Sequence, residues 1–272
     1  MRLTKAKEAA GLLLKPDLFF GFKGGCCMKN FVKATVLFWG FFFGASSSAY
    51  AQASNWNFEA TIYLFAPETN QTITTPGREF EGTLSFKDAL ENLDFAFMGA
   101  FGASNGRWSF LADYMYYDLS FGSATPGPVF SSLDTDLEMQ ILNGYVAYRV
   151  VENASAQVDL AGGFRWFSID TTMGLTPGGP SSRAKDDWVD PVIGARARIA
   201  FSDRWSGTVF VDYGGFSSDS ETWQALLTAD YAINDNWLLR GGYRYISIDH
   251  ELQNADFKLN QSGLIFGATY RF

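Results

Sequence analysis

The stretch GLIFGATYRF, Gly263–Phe272, sets the reading of the whole chain. Taken two residues at a time, Leu264, Phe266, Ala268, Tyr270 and Phe272 share one face, while Gly263, Gly267, Thr269 and Arg271 share the other. Successive side chains of a strand point to opposite faces, so this is the signature of a strand with one apolar side. The chain stops on an exposed-reading aromatic, which asks what the apolar face packs against.

The same alternation recurs upstream. Trp56, Phe58, Ala60, Ile62 and Leu64 alternate with Asn57, Glu59, Thr61 and Tyr63; Trp108, Phe110, Ala112, Tyr114 and Tyr116 with Ser109, Leu111, Asp113 and Met115. Val158–Trp166 and Trp223–Tyr231 repeat it. Turn residues stand at Ser104-Asn105-Gly106, Glu152-Asn153-Ala154, Ser202-Asp203-Arg204 and Asn234-Asp235-Asn236. Longer connections at 66–93, 120–135, 169–186 and 250–255 alternate with these short ones. The pattern predicts an all-β, antiparallel, up-and-down architecture of ten strands, at 55–66, 93–103, 107–119, 136–150, 155–168, 187–201, 205–216, 220–233, 237–249 and 256–272, with eight or twelve strands as alternatives.

The start of the chain has a different character. Met28–Ala53 carries Lys29 and Lys33, an apolar run from about Ala34 to Gly44, and a small-x-small ending at Ala49-Tyr50-Ala51. That is the pattern of a cleaved secretory signal over 28–51, with the mature barrel at 52–272 and residues 1–27 as an upstream extension from a mis-assigned start. The apolar run falls short of the roughly 18 to 20 residues that a membrane-crossing helix needs. Cys26 and Cys27 are the two cysteines, and both precede the predicted cleavage site, so no thiol chemistry is expected beyond it. Of the 21 basic and 29 acidic residues, seven and two respectively precede residue 52, which leaves 14 and 27 and a net charge of about −13. Such a sign disfavours nucleic acid as a partner.

A soluble sandwich would turn the apolar faces inward, whereas a membrane barrel turns them outward and keeps the polar faces in its lumen. The aromatics favour the barrel. Trp56, Trp108, Trp166, Trp188, Trp205, Trp223 and Trp237 stand at or near strand ends, and Tyr114, Tyr116, Tyr148, Tyr213, Tyr243 and Tyr270 read outward, as interfacial girdles require. The last strand then closes the sheet on the first, because lipid leaves no unpaired backbone group unpenalised.

The blocks NLDFAFMGAFGASNGRWSFLADYMYYDLS (92–120) and SETWQALLTADYAINDNWLLRGGYRYISID (220–249) resemble a family of uncharacterised proteobacterial outer-membrane barrels, similar in style to small OmpA-like and porin-like barrels. The resemblance implies a Gram-negative outer-membrane location, with outer-membrane lipid, lipopolysaccharide and the barrel assembly machinery as partners. Gly267, Tyr270 and Phe272 resemble the glycine, aromatic and terminal-aromatic positions of the assembly signal, and Ile265 departs from its usual polar start. It supplies no catalytic residues.

By parity the inward charges are Glu59, Asp113, Asp159, Asp190, Asp212 and Asp230 against Arg149, Arg165, Arg196, Arg198, Arg240, Arg244 and Arg271. Charges withdrawn from water must be paired, so a near-neutral set predicts a narrow, side-chain-filled lumen and a structural or surface-interaction role. A barrel of about ten strands has room for little else. A narrow porin-like channel is the runner-up, and a lipid-modifying enzyme is less favoured. His250 is the single histidine, and its neighbours Asp249 and Glu251 point to alternate faces, so neither a catalytic group nor a metal site is expected there, and no cofactor. The outer loops are acidic, through Glu68, Glu79, Glu81, Asp134, Asp136, Asp170, Asp186, Asp187, Asp219, Glu251 and Asp256; divalent cations bridging them to lipopolysaccharide is the sharper reading of that rim, and plain loop solubility the favoured one. Within the first long loop, Thr72–Phe86 reads as a hairpin around Pro76-Gly77, and Ser85-Phe86-Lys87-Asp88 as a capping box opening a short helix towards Leu93.

Overall fold

The computed structural model describes residues 56–75, 78–124, 129–252 and 255–272. The predicted upstream extension (1–27), signal (28–51) and cleavage before Gln52, together with the Pro76-Gly77 turn, lie outside those residues. The described elements are β1 (Trp56–Thr75), β2 (Arg78–Leu84), α1 (Phe86–Glu91), β3 (Leu93–Asn105), β4 (Trp108–Ala124), β5 (Ser132–Glu152), β6 (Ala156–Thr176), β7 (Ser181–Ala200), β8 (Trp205–Gly214), β9 (Ser220–Ala232), β10 (Trp237–Leu252) and β11 (Ala255–Arg271). All neighbouring strands pair antiparallel, and β11 returns to β1 from Glu59–Arg271 to Thr74–Asp256. Ten strands close the barrel. The eleventh, β2, pairs with the upper part of β1 alone, from Thr69–Leu84 to Thr75–Arg78.

The strands outrun the expected ones at the end bearing the longer connections. β1 continues to Thr75, β5 begins at Ser132, β6 continues to Thr176 and β7 begins at Ser181, so much of the sequence expected as loop is hairpin standing above the apolar band. The physical reason is that a ladder once started keeps pairing through polar, β-branched segments such as Asp170–Met173, whose side chains are half-buried. The opposite end is made of tight turns. At Gly106 the backbone adopts φ 57°, which favours glycine, and it joins β3 to β4. The expected helix forms where its capping box stands: the Ser85 hydroxyl accepts the Asp88 N–H, and Lys87 and Glu91 pair along the exposed face.

Outward side chains form two aromatic belts. At the short-turn end Trp108 meets Tyr148 (5.0 Å between centroids), Trp205 meets Tyr231 (4.9 Å), and Trp237 meets Tyr270 (4.9 Å), which meets Phe272 (5.0 Å). At the taller end Phe97 meets Tyr114 (6.4 Å), Phe95 meets Tyr116 (5.8 Å), and Trp223 stacks on Tyr245 (4.5 Å). Between the belts the exposed side chains are Ile62, Phe101, Phe110, Leu160, Phe164, Ile193, Val209, Val211, Leu227, Leu239, Leu264 and Phe266. Eight residues separate Trp108 from Tyr116, about 27 Å of strand at ~3.4 Å each, or about 20 Å along an axis tilted by ~40°. Trp188 does not join these belts. It has the parity of Asp186 and Asp190 and points inward, stacked between Phe167 (4.8 Å) and His250 (4.1 Å, 1° between planes).

Candidate functional site in the lumen

The interior is layered. Nearest the short turns lies a belt of ion pairs: Arg149 and Arg196 both reach Asp159 (3.1 and 2.7 Å), Arg198 reaches Glu59 (3.1 Å), and Arg240 reaches Asp230 (2.6 Å). The last pair stands directly opposed across the β9–β10 hairpin, as its short turn at Asn234–Asn236 requires. Arg149 also holds Glu152, and Arg196 donates to the Ser109 hydroxyl at 3.1 Å.

Above that belt, side chains from six strands form a closed hydrogen-bonded circuit across the lumen. Arg165 on β6 donates to Asp212 on β8 (2.8 Å) and to the Asn143 carbonyl on β5 (2.6 Å). The Asn143 amide donates to Asp113 on β4 (3.2 Å), which also accepts from Arg244 on β10 (2.7 Å). Arg244 donates to the Gln224 carbonyl on β9 (2.9 Å), and the Gln224 amide returns to Asp212. Tyr63 and Tyr145 brace the circuit. The Tyr63 hydroxyl donates to Asp113 (2.5 Å) and accepts from Arg244 (3.0 Å); the Tyr145 hydroxyl donates to Asp212 (2.7 Å). Arg165 also donates to Thr222 (2.8 Å), and its side chain is fully buried. Two guanidiniums thus face two carboxylates, with neutral amides alternating between them, and every charge is compensated.

Over the circuit sits an apolar layer. Phe65, Met98, Met115, Met139, Ile141, Phe167, Ile246, Ile248, Phe257, Leu259 and Ile265 pack together in the lumen, with Met115, Ile141 and Phe167 fully buried. Among the described residues, paired charges thus lie below the circuit and hydrocarbon above it. Beside the circuit is a cavity of ≈ 80 Å³, lined by Thr61, Tyr63, Ala100, Leu111, Asp113 and Ile265 among others, a space of water or fragment size.

Twelve of the thirteen charges expected in the lumen point there, six of each sign. Asp190 lies opposite Arg165 in register, yet Arg165 turns to Asp212, and Asp190 accepts instead from Ser220 (2.9 Å) and the Trp188 indole (3.2 Å). Arg271 has the inward parity of Thr269 and stands opposite Glu59, but it is exposed at the short-turn rim, where the lumen opens to water. Gly267, Tyr270 and Phe272 lie on the closing strand, and the Phe272 N–H donates to the Phe58 carbonyl (3.0 Å), so pairing runs to the last residue. The neutral members Tyr63, Asn143, Tyr145, Thr222 and Gln224 escaped a reading based on charge; their inward parity was the available signal.

His250 faces the lumen while Asp249 pairs with Lys258 at the rim (2.7 Å), so the two neighbours do part. Ser220 is the cross-strand partner of His250, but its hydroxyl is directed to Asp190, away from the imidazole. On the rim, the Arg183 guanidinium clasps Asp170 through two hydrogen bonds and holds its carboxyl below the usual aspartate range.

Among solved structures, the chain is similar to the outer-membrane protease OmpT of Escherichia coli, with a TM-score of 0.53 and 12% identity over 79% of this chain and 97% of that one. The fold is that of an outer-membrane β-barrel. Further matches include Ail, the attachment invasion locus protein of Yersinia pestis (TM-score 0.36, 10% identity, 80% of this chain and 98% of that one), and Neisserial surface protein A (0.31, 14%, 80% and 98%). No protein-family model and no curated protein matches the chain.

Proposed function

We propose that this barrel is an exported, integral protein of the Gram-negative outer membrane, with a closed lumen and a structural or surface-interaction role. The observation that carries the reading is the Arg165–Asn143–Asp113–Arg244–Gln224–Asp212 circuit, which ties six strands together across the interior. A pathway for ions would need wettable, uncompensated groups along its length, and this interior offers paired charges under hydrocarbon. With the lumen filled, the surfaces left for partners are the lipid-facing belts and the tall, acidic rim. Outer-membrane lipid and lipopolysaccharide would contact the belts, and the barrel assembly machinery would meet the closing strand at Gly267, Tyr270 and Phe272. The orientation follows from the short turns, which face the periplasm in such barrels.

Cysteine placed at Ser218, in the connection from β8 to β9, should react with a membrane-impermeant maleimide on intact cells, whereas cysteine at Asp235, in a tight turn, should react only after the outer membrane is permeabilised. Equal labelling of both positions on intact cells, or of neither, would contradict the proposed placement.

A further inference from the structure

Methionine is placed unevenly in this barrel. The described residues contain Met98, Met115, Met139 and Met173, one on each of the successive strands β3, β4, β5 and β6. All of them have inward parity, while the exposed large side chains of the same strands are phenylalanine, tyrosine, tryptophan, valine and leucine. Methionine gains about as much from burial as valine, leucine or phenylalanine, so hydrophobicity alone does not confine it to the interior. Three of these side chains lie together. Met98 and Met115 are direct cross-strand partners, and Met139 is diagonal to Met115 on the next strand, where Ile141 opposes Met115 and Met139 opposes Tyr117. Opposed side chains on one face stand ~5 Å apart at Cβ and diagonal ones ~7–8 Å, within reach of long side chains. Met98, Met115 and Met139 are all buried in one cluster.

Each of the three sulfurs is turned to a polar donor. The Phe65 N–H donates to Met98 Sδ (3.2 Å), Arg244 Nη1 to Met115 Sδ (3.4 Å), and the Tyr117 hydroxyl to Met139 Sδ (2.7 Å). A thioether is a weak acceptor with two lone pairs, so a second pair remains on each sulfur. Neutral, polarizable sulfur suits soft cations such as Cu(I), whereas hard divalent ions need oxygen donors, and the buried cluster holds no carboxylate. The unbranched side chains have three rotatable bonds each and adapt to a metal without moving a strand. A buried monovalent cation also needs a counter-charge. The inward row next to Met98–Met115 runs Ala100, Asp113, Asn143, Arg165, Asp190. Asp113 in that row is paired with Arg244, whereas Asp190 accepts from Ser220 and Trp188 and has no ion-pair partner among the described residues.

We infer that Met98, Met115 and Met139 form a three-sulfur site for a soft monovalent cation, Cu(I) or Ag(I), within the apolar layer of the lumen. Met173, in register with Thr135 above Met139, is the next donor towards the taller end. Thioethers have no proton to lose on binding, so the affinity should be flat across the range in which histidine titrates, roughly pH 5–8. The site is independent of the membrane placement proposed above, because its donors line the interior in either medium. Full-length protein with Cys26→Ser and Cys27→Ser, shown to be folded by heat-modifiable gel mobility, is titrated anaerobically into Cu(I) held by bicinchoninate, whose colour reports the metal withdrawn. The parent should take Cu(I) from the dye. Met98→Leu/Met115→Leu/Met139→Leu nearly conserves side-chain volume and should take none. Each single variant should weaken binding by at least the ~10–100-fold that loss of an outer-shell partner costs. X-ray absorption of the loaded parent should show sulfur as the only ligand type, and His250→Ala should bind as the parent does. A folded parent that leaves the dye coloured, a triple variant that still decolours it, nitrogen or oxygen ligands in the spectrum, or affinity lost on acidification through that range would each overturn the site. If the triple variant does not fold, Met115→Leu and Met139→Leu decide, and parental affinity in both would overturn it.

Discussion

Replacing Arg165 by methionine is expected to lower the unfolding free energy of the barrel by about 3–5 kcal/mol, the size of penalty seen when one partner of a buried ion pair is removed. The loss arises less from the missing attraction than from what is left behind. Asp212 would be left as a buried carboxyl without its cation, and Asn143 and Thr222 would each lose a donor. Methionine fills much of the vacated volume, so packing contributes little to the difference. Denaturant unfolding in lipid vesicles, followed by tryptophan emission, measures it. The paired variant Arg165→Met/Asp212→Leu should recover only part of the loss, because it removes the uncompensated carboxylate but takes Asp212 away as the acceptor of the Tyr145 hydroxyl and the Gln224 amide. A single-variant loss below about 1 kcal/mol is what a solvent-screened pair would give, and it would mean that water reaches the circuit.

The second large effect concerns the layer above. Met115, Phe167 and Ile246 are buried at the centre of the lumen, and truncating all three to alanine removes the hydrocarbon that seals it. Each truncation alone costs about 2–5 kcal/mol in a protein core, and contact between neighbouring sites makes the three non-additive. The triple variant should therefore unfold at lower denaturant while remaining a barrel, since its ladders are untouched. In planar bilayers it should pass stepwise current that the parent does not. Folded triple variant that stays silent would place the seal in the hydrogen-bonded circuit alone.

How much of this was legible beforehand depends on which physical rule was in play. Period-two alternation located ten strands and the return of β11 to β1, because an apolar outer face and a charged inner one give both faces a strong signature. The three-residue turn at Asn234–Asn236 was enough to set Asp230 against Arg240. The capping box placed α1 to the residue at which it begins. Other features depended on information that a linear chain does not carry. Arg165 was visible as an inward charge, but its choice of Asp212 over the directly opposed Asp190 is a matter of side-chain direction across the lumen. Asn143 and Gln224 join the two pairs from strands far apart in sequence, and a neutral amide gives no charge pattern to follow. Trp188 was assigned to a girdle by its nearness to a strand end; parity, the stronger rule, puts it inside. The hairpin read at Thr72–Phe86 forms as β1 and β2, but the continuity of β1 from Phe65 to Thr75 escaped, because the polar segment Glu68–Gln71 alternates nothing.

The claim on which the account stands is that the lumen is closed, and single-channel current through the folded parent barrel in a planar bilayer tests it most directly. Heat-modifiable gel mobility first establishes that the inserted protein is folded. The paired charges and the apolar layer predict a flat trace at voltages that open no other path. Stable, reproducible conductance steps from folded protein would contradict the account and turn Arg165 and Arg244 into candidates for ion selection.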